Sequence, residues 1–359
     1  MSNYIEYKGR VAFHPGYYVE EIVDESGLTQ QDFASRLDTT PKNLSKLING
    51  QQSLSVDMAL KLSRMLGTTL EYWLNLQNAY DAVRAEISSD ALLEEEIGVL
   101  KQIGYGYFRD KFLLPDLPRK LPEQVVEVRR FLEVSSLTVL TKRDVCVSFR
   151  SDSSKMDEKT IARANALVQI AVNEARRKNA PRYDKGKFES AVEYALMLTT
   201  DHDRFYPLIE KAFFDAGVIL VLLPNLEGSK TNGATKRIGS SVMLMINDRR
   251  LYADTFWFTL LHEVGHILSG DFGVSFEVKA SEKEAAADKF AEDKLIPPES
   301  YQLFLSEGLF NLNSITQFAD EIKRDPSIVL GRLQSDGYVR YDDTRFSHLK
   351  YRYEVVTME

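Results

Sequence analysis

His262-Glu263-Val264-Gly265-His266 is the stretch that decides the fold and the chemistry of the C-terminal part of this chain. A helix places residues i and i+4 on one face, so both imidazoles can hold one zinc ion. Glu263 stands beside them in the position of a base, and Gly265 is expected to leave room beside the metal. Apolar residues flank the stretch on both sides, and Gly270 can end the helix. We expect a buried helix that carries two metal ligands.

A third ligand is expected downstream, because a catalytic zinc takes three protein ligands and keeps one position for water. Glu284 and Asp288 are one helical turn apart, so Glu284 can ligate zinc while Asp288 accepts a hydrogen bond from a ligand imidazole. This Glu-x-x-x-Asp spacing resembles the gluzincin arrangement. Two alternatives stay open: Ser281 and Glu284 can form a capping box, leaving Glu282 or no residue to complete the site, and the two histidines can be satisfied core residues.

A zinc ion at this position would make peptide-bond hydrolysis the expected chemistry. The metal lowers the pKa of its water to about 7, and Glu263 can take the proton as the water attacks a carbonyl. An oxyanion donor is also needed. Four side chains are candidates without a ranking, and each can equally be structural: Tyr252, His202, His348 and Tyr338.

The N-terminal part has the pattern of helix-capping and turn residues that is typical of a helix-turn-helix. Residues 14–80 predict five short helices, separated at glycine-containing or capped turns. Thr29 can cap the second helix, residues 38–39 form the turn, and Thr40 can cap the third helix with Pro41 in its first position. A small helical bundle that binds protein is the alternative for this segment.

The third helix is expected to face DNA, because Leu44, Leu47 and Ile48 form its buried stripe and leave polar residues outside. The N-terminal end of such a helix enters the major groove. The expected base-reading residues are Thr40, Lys42, Asn43 and Lys46, with Gln30 and Arg36 as phosphate contacts. Residues 14–80 contain five Lys or Arg against eight Asp or Glu, a net charge of −3. We therefore expect binding to rest on a local basic surface near Arg36, Lys42 and Lys46, and to be strengthened by a homodimer over a palindromic operator.

Two families resemble parts of this chain. Residues 10–80 resemble XRE-type regulators of the HigA antitoxin group, in the motifs His14-Pro15-Gly16, Gly27-Leu28-Thr29-Gln30, Leu44-Ser45-Lys46-Leu47-Ile48-Asn49-Gly50 and Tyr72-Trp73-Leu74-Asn75-Leu76-Gln77. From Ala216 to Pro297 the chain resembles the ImmA/IrrE metallopeptidases, with Phe256-Trp257-Phe258-Thr259 before the histidine motif and Phe290-Ala291 and Leu295-Ile296-Pro297 after it. It departs from many relatives at Ala286, where a second acidic residue often stands.

The resemblance implies a zinc-dependent endopeptidase that clips a helix-turn-helix repressor under stress and so releases transcription. The HigA-like part implies autoregulated operator binding and neutralisation of a toxin partner. We therefore expect a DNA-binding regulator that carries a zinc peptidase acting on a repressor or antitoxin, or on itself. The alternative is a non-enzymatic HigA-type antitoxin and autorepressor with a structural or sensory zinc site.

Composition sets broad limits. The chain has 359 residues, 44% of them hydrophobic, enough for a sizeable core in two or three domains. The single cysteine, Cys146, excludes an intramolecular disulfide, and no apolar N-terminal stretch suits secretion or membrane insertion, so we expect a cytoplasmic protein without membrane contact. The net charge of −8 argues against general binding of polyanions.

The predicted fold class is mainly α with a small sheet (α+β). Residues 1–80 form the helix-turn-helix domain, 81–200 a helical connector, 201–300 the gluzincin-like zinc peptidase domain and 301–359 a C-terminal helical cap. Residues 218–223 and 242–246 are apolar runs of strand length, and turns are expected between them at 227–229 and 231–233.

Overall fold

The computed structural model describes residues 3–142, 156–248, 252–276 and 281–353. It divides into two compact units, Met1–Glu95 and Glu96–Glu359, here called the N-terminal and C-terminal units. The predicted fold class is confirmed, since the chain is mainly helical with two small sheets. Cys146 lies outside the described residues. The finer division into four segments stays a prediction.

The N-terminal unit contains a β-hairpin followed by the five predicted helices. Its elements are β1 (Tyr4–Tyr7), β2 (Arg10–Phe13), α1 (Pro15–Ser26), α2 (Gln30–Arg36), α3 (Pro41–Ile48), α4 (Val56–Leu66) and α5 (Leu70–Ile103), the last of which continues into the second unit. The antiparallel hairpin was not predicted. The fifth helix is 34 residues long and does not stop near residue 80, because no glycine or proline interrupts it before Gly98.

Side-chain caps fix the ends of the short helices. Thr29 accepts a hydrogen bond from the backbone N–H of Asp32, and Thr40 does the same for Asn43. Each cap satisfies a backbone donor that the first turn leaves without an intrahelical partner. Asp38 adopts a positive φ of 54° in the turn between α2 and α3. The predicted capping pattern therefore produces the two helices and the turn between them.

The start of α1 shows why histidine, proline and glycine stand together there. His14 Nδ1 accepts a hydrogen bond from Gly16 N at 3.0 Å, and Pro15 takes the first helical position. A Cβ added at Gly16 would lie 1.9 Å from the carbonyl oxygen of Leu47, at the end of α3. Only glycine permits this close approach between α1 and α3.

Gly16→Ala is expected to destabilise the N-terminal unit by about 1–3 kcal/mol, because backbone must move to admit the methyl group. Peptide-resolved amide hydrogen exchange of the full chain would show faster exchange in residues 15–48. The matched control is Gly98→Ala, at an exposed helical position where an added Cβ meets nothing within 4 Å. Alanine should be tolerated or mildly stabilising there. Unchanged exchange in the Gly16 variant would contradict the packing argument.

The C-terminal unit consists of a four-stranded sheet and helices packed around it. Its remaining elements are α6 (Tyr105–Phe112), α7 (Leu121–Leu132), α8 (Glu158–Arg177), α9 (Lys185–Leu196), α10 (Phe205–Asp215), β3 (Val218–Leu223), β4 (Thr231–Ile238), β5 (Ser241–Asn247), α11 (Ala253–Ser269), β6 (Gly273–Phe276), α12 (Glu282–Leu295), α13 (Pro298–Glu307), α14 (Leu312–Glu321) and α15 (Pro326–Ser335).

The sheet has the strand order β3-β5-β4-β6. β3 and β5 are parallel and almost wholly buried, which explains why both are continuous apolar runs. The prediction of a turn at residues 231–233 is wrong. These residues begin β4, which lies between β5 and β6, with an irregularity in its pairing to β6 between Thr231 and Gly233. Backbone pairing on both sides outweighs the local turn propensity of Asn232-Gly233.

One hydrophobic core joins the sheet to the helices around it. It extends from Phe188 in α9 to Phe346 and includes residues of α11, α12 and the three following helices. Helix α8, within the segment interpreted as a connector, packs on β3, β4 and β5. Within the described ranges, no helix combines the length and apolar character needed to cross a bilayer.

Candidate functional site

Helix α11 carries the histidine motif through the interior of the C-terminal unit. His262 is 8% exposed, Glu263 is 0% exposed and His266 is 1% exposed. The helix ends at Gly270, whose φ of 75° is the left-handed conformation typical of a helix C-terminus. Because apolar residues surround the motif, its polar side chains must find partners inside the protein.

Helix α12 supplies those partners. Its buried residues follow helical spacing along one face: Glu284, Ala287, Asp288, Ala291 and Leu295. A Cβ added at Gly265 would lie 3.1 Å from the Phe290 ring and 3.4 Å from Cα of Ala287. Gly265 therefore makes room for α12, and the expectation that it leaves room beside a metal is wrong.

The two imidazoles and one carboxylate converge on one point. Nε2 of His262 and Nε2 of His266 are 3.1 Å apart. Glu284 places Oε2 3.1 Å from the first and Oε1 3.4 Å from the second. All three ligand atoms lie within 4.8 Å of one another. Two imidazoles and a carboxylate are the donor types of a catalytic zinc site, so these residues fit the predicted metal.

A carboxylate holds the other nitrogen of each imidazole. Asp288 Oδ1 lies 2.9 Å from His262 Nδ1, as the spacing on α12 predicts. Asp271 Oδ2 lies 3.2 Å from His266 Nδ1, and its Oδ1 lies 2.8 Å from Lys283 Nζ. Asp271 was not predicted from the sequence. The signal available was its place directly after Gly270, since the helix-ending turn folds residue 271 back onto His266.

The charges in this cluster support one another. Burial lowers the pKa of His262, but its hydrogen bonds with Asp288 and Glu284 outweigh this and raise the pKa to about 9. Burial raises the pKa of Glu284, but hydrogen bonds with His262 and His266 outweigh it and lower the pKa to about 2. Both shifts favour a carboxylate that faces positive charge.

The geometry bears on the alternatives at the start of α12. Ser281 Oγ accepts a hydrogen bond from Glu284 N at 3.3 Å, so this residue does cap the helix. The Glu284 side chain nevertheless turns to the imidazoles. Glu282 is exposed and stands outside the cluster. Capping and the carboxylate cluster therefore coexist, and it is Glu284, not Glu282, whose carboxylate reaches the Nε2 atoms of the two histidines.

The side chain of Glu263, a residue of α11, lies next to strand β4 of the sheet. A Cβ added at Gly233 in β4 would be 2.5 Å from Glu263 Oε1 and 2.7 Å from its Cγ. The carboxylate is close enough to His262 to raise the pKa of that imidazole. Gly233 thus creates the space in which the buried carboxyl group sits next to the cluster.

Gly233→Ala is expected to cost about 1–3 kcal/mol of stability, because its methyl group would overlap the Glu263 side chain. In a Glu263→Ala background the same substitution should cost much less, since the overlap disappears. A double-mutant cycle measured by chemical denaturation separates the two effects. Equal costs in both backgrounds would show that Gly233 does not position Glu263.

None of the four candidate oxyanion donors belongs to the cluster of His262, His266 and Glu284 in the described residues. His202 contacts Asp325 at 2.9 Å and the hydroxyl of Tyr353 at 3.1 Å, and its ring stacks on Tyr351. Tyr252 is exposed at the position before α11. His348 and Tyr338 are also exposed, and Tyr338 packs on the ring of Phe310. The contacts of His202 are those of a structural residue.

In the N-terminal unit, the predicted DNA-contacting residues are exposed positions of α2, of α3 and of the turn between them. The buried side of α3 consists of Leu44, Leu47 and Ile48, as predicted. The six predicted contact residues are all exposed: Gln30, Arg36, Thr40, Lys42, Asn43 and Lys46. The Thr40 hydroxyl is engaged as the helix cap. Lys61 of α4 holds the turn by contacting the backbone oxygen and carboxylate of Asp38.

Comparison with known proteins agrees with this arrangement. The family model HTH_3, helix-turn-helix, matches residues 19–73. The HTH-type transcriptional regulator YddM of Escherichia coli (strain K12) is 37% identical over 76 residues, which are 21% of this chain and 81% of YddM. The chain belongs to the helix-turn-helix family of transcriptional regulators.

Two further proteins resemble this helix-turn-helix regulator over a similar length. Antitoxin HigA-1 of Vibrio cholerae is 38% identical over 61 residues, 17% of this chain and 57% of the antitoxin. A solved structure of an addiction module antidote protein of the HigA family from Coxiella burnetii is 34% identical, covers 23% of this chain and 91% of that chain, and has a TM-score of 0.22. The helix-turn-helix part of the regulator thus has homologues among antitoxin and antidote proteins.

Proposed function

We propose that this regulator binds operator DNA through α3, and that its C-terminal unit is a zinc-dependent endopeptidase that cleaves a repressor or antitoxin protein. The observation that carries the enzymatic half is the buried convergence of His262, His266 and Glu284, with Glu263 adjacent. A structural zinc site is closed by four protein ligands. Among the described residues three side chains converge, which leaves a position for water.

A zinc ion bound there supplies Lewis-acid activation of water and of a peptide carbonyl. The protein supplies orientation and proton transfer. Asp288 and Asp271 fix the two ligand imidazoles through their Nδ1 atoms, so that both Nε2 atoms face the same point. The Glu263 carboxylate accepts a proton from the attacking water and passes it to the leaving amine.

The sheet offers a place for an extended substrate. Among the described strands, β6 is the edge strand next to β4, and it begins shortly after α11 ends. A peptide can add to such an edge by backbone hydrogen bonds, with little demand on its side chains. This supports a protein or peptide as the substrate of the zinc site.

Purified protein is expected to contain one zinc ion per chain, measured by elemental analysis. Glu263→Gln should retain zinc but reduce cleavage of a repressor, an antitoxin or the chain itself by roughly 10²–10⁴-fold, the range typical of general-base loss. Glu284→Gln should weaken zinc binding. Glu282→Gln, at an exposed glutamate two residues before Glu284, is the matched control and should change neither zinc binding nor cleavage. Full cleavage by the Glu263 variant would rule out this mechanism.

A second function is favoured by the similarity to antitoxin HigA-1, which extends over 61 residues, or 17% of this chain. In this alternative the chain is a non-enzymatic antitoxin and autorepressor, and the zinc site stabilises the fold or senses the metal. A toxin partner would then bind the chain directly. Stoichiometric zinc together with no cleavage of any repressor, antitoxin or self substrate would favour this alternative.

The DNA-binding half is proposed from the exposed Lys42, Asn43 and Lys46 on α3. A homodimer on a palindromic operator would double these contacts and compensate for the net negative charge of the segment. The third helix would then read bases at its N-terminal end, with Gln30 and Arg36 contacting phosphates.

Lys46→Glu combined with Asn43→Ala is expected to abolish specific operator binding in a gel-shift assay. Lys101→Glu, an exposed charge reversal in the other unit, is the matched control and should leave binding unchanged. Unaltered operator binding by the double variant would indicate that α3 faces a protein partner instead.

A further inference from the structure

A cavity separate from the histidine cluster lies along the same pair of helices, α11 and α12. On α11, Asp254 and Phe258 precede His262 and His266 at intervals of four residues, so all four share one face. On α12, Glu292 and Leu295 continue the face of Glu284 and Asp288. The seam between α11 and α12 therefore continues past the cluster toward the start of α11.

At that end of the seam α11, α12 and α15 enclose a cavity of about 200 Å³. Its walls include apolar Phe258, Leu295 and Ile328 and charged Asp254, Glu292 and Arg332. The exposed Ser335 stands at its rim, so the cavity is reached from solvent. Engineered cavities of roughly 150 Å³ bind a molecule the size of benzene. This cavity is large enough for a small ligand or one side chain.

The charges in the cavity differ in how they are paired. Arg332 contacts Glu292 at 2.8 Å and Asp336 at 2.8 Å, so the one cation among the described lining residues is already engaged. Asp254 forms no ion pair or side-chain hydrogen bond with any side chain among the described residues. Burial raises the pKa of its carboxyl group. Asp254 is thus the acidic residue of the described lining that has no cationic partner there.

Asp254 is held where it faces this space. A Cβ added at Gly331 of α15 would lie 2.6 Å from Asp254 Oδ2, so the missing side chain at position 331 admits the carboxylate. The residue also stands in the first turn of α11, where backbone N–H groups favour a negative charge. Phe258 lies one turn further along and provides an apolar wall beside the carboxylate.

We propose that this cavity is a binding site for a cationic group, an alkylammonium or guanidinium, carried on a short apolar body. The ammonium pairs with Asp254, and the apolar part packs on Phe258, Leu295 and Ile328. A free amine or the basic side chain of a bound peptide presents the same chemistry. The site needs no metal and is therefore independent of the proposed peptidase activity.

Benzylamine and its neutral isostere benzyl alcohol test this proposal on the full chain, by saturation-transfer NMR and by ligand-induced shifts in melting temperature. Benzylamine is expected to bind at least tenfold more tightly than benzyl alcohol and to raise the melting temperature. Asp254→Asn should remove that preference. Asp320→Asn, the same change at an exposed residue of α14, is the matched control and should retain it.

A second variant keeps the proposal testable if Asp254→Asn fails to fold. Ser335→Phe at the exposed rim should block entry and weaken benzylamine binding at least tenfold without changing the charge of the cavity.

Displacement of benzylamine by a short lysine peptide, but not by its norleucine analogue, would identify a peptide side chain as the occupant. Displacement by free amines alone would identify a small molecule. Equal binding of benzylamine and benzyl alcohol, or unchanged binding to the Asp254 variant, would overturn the proposal. Repeating the titration on chelator-treated protein keeps this result separate from the presence or absence of zinc.

Discussion

The C-terminal unit depends on the close antiparallel approach of α11 and α12. Gly265 against Phe290 and Ala287 sets that approach, and it brings Glu284 and Asp288 within reach of His262. Burying two imidazoles and two carboxylates is costly unless each is paired. The helix pair and Asp271 together meet that condition by placing a carboxylate oxygen beside each imidazole nitrogen, so the cluster and the packing depend on each other. A wider seam would leave charged groups buried without partners.

Around this seam, the rest of the unit serves to exclude water and hold the helices in place. The sheet packs β4 against α11, and Gly233 provides the space for Glu263. The C-terminal helices belong to the same core, and α15 closes the other end of the seam beside Asp254. The histidine cluster and the proposed cation site are thus two products of one packing arrangement.

The N-terminal unit follows a different logic, in which short local signals decide most of the structure. Thr29, Thr40 and the His14-Pro15-Gly16 start each fix one helix end through hydrogen bonds within a few residues. These local signals were enough to predict the two central helices and the exposed face of α3. The hairpin of β1 and β2 was missed, because a short strand pair has no apolar alternation strong enough to be recognised from one sequence.

By itself, the sequence determined the features that depend on helical periodicity: the shared face of His262 and His266, the shared face of Glu284 and Asp288, and the buried stripe of α3. Only the tertiary structure decided which residues of different elements meet. Asp271 contacts His266 because the turn after α11 brings it there. Residues 231–233, expected to form a turn, begin β4 because they lie in the paired sheet. Gly265 serves the packing of α11 against α12. The physical reason is that spacing within an element is fixed by local geometry, whereas contacts between elements depend on the packing of the whole core.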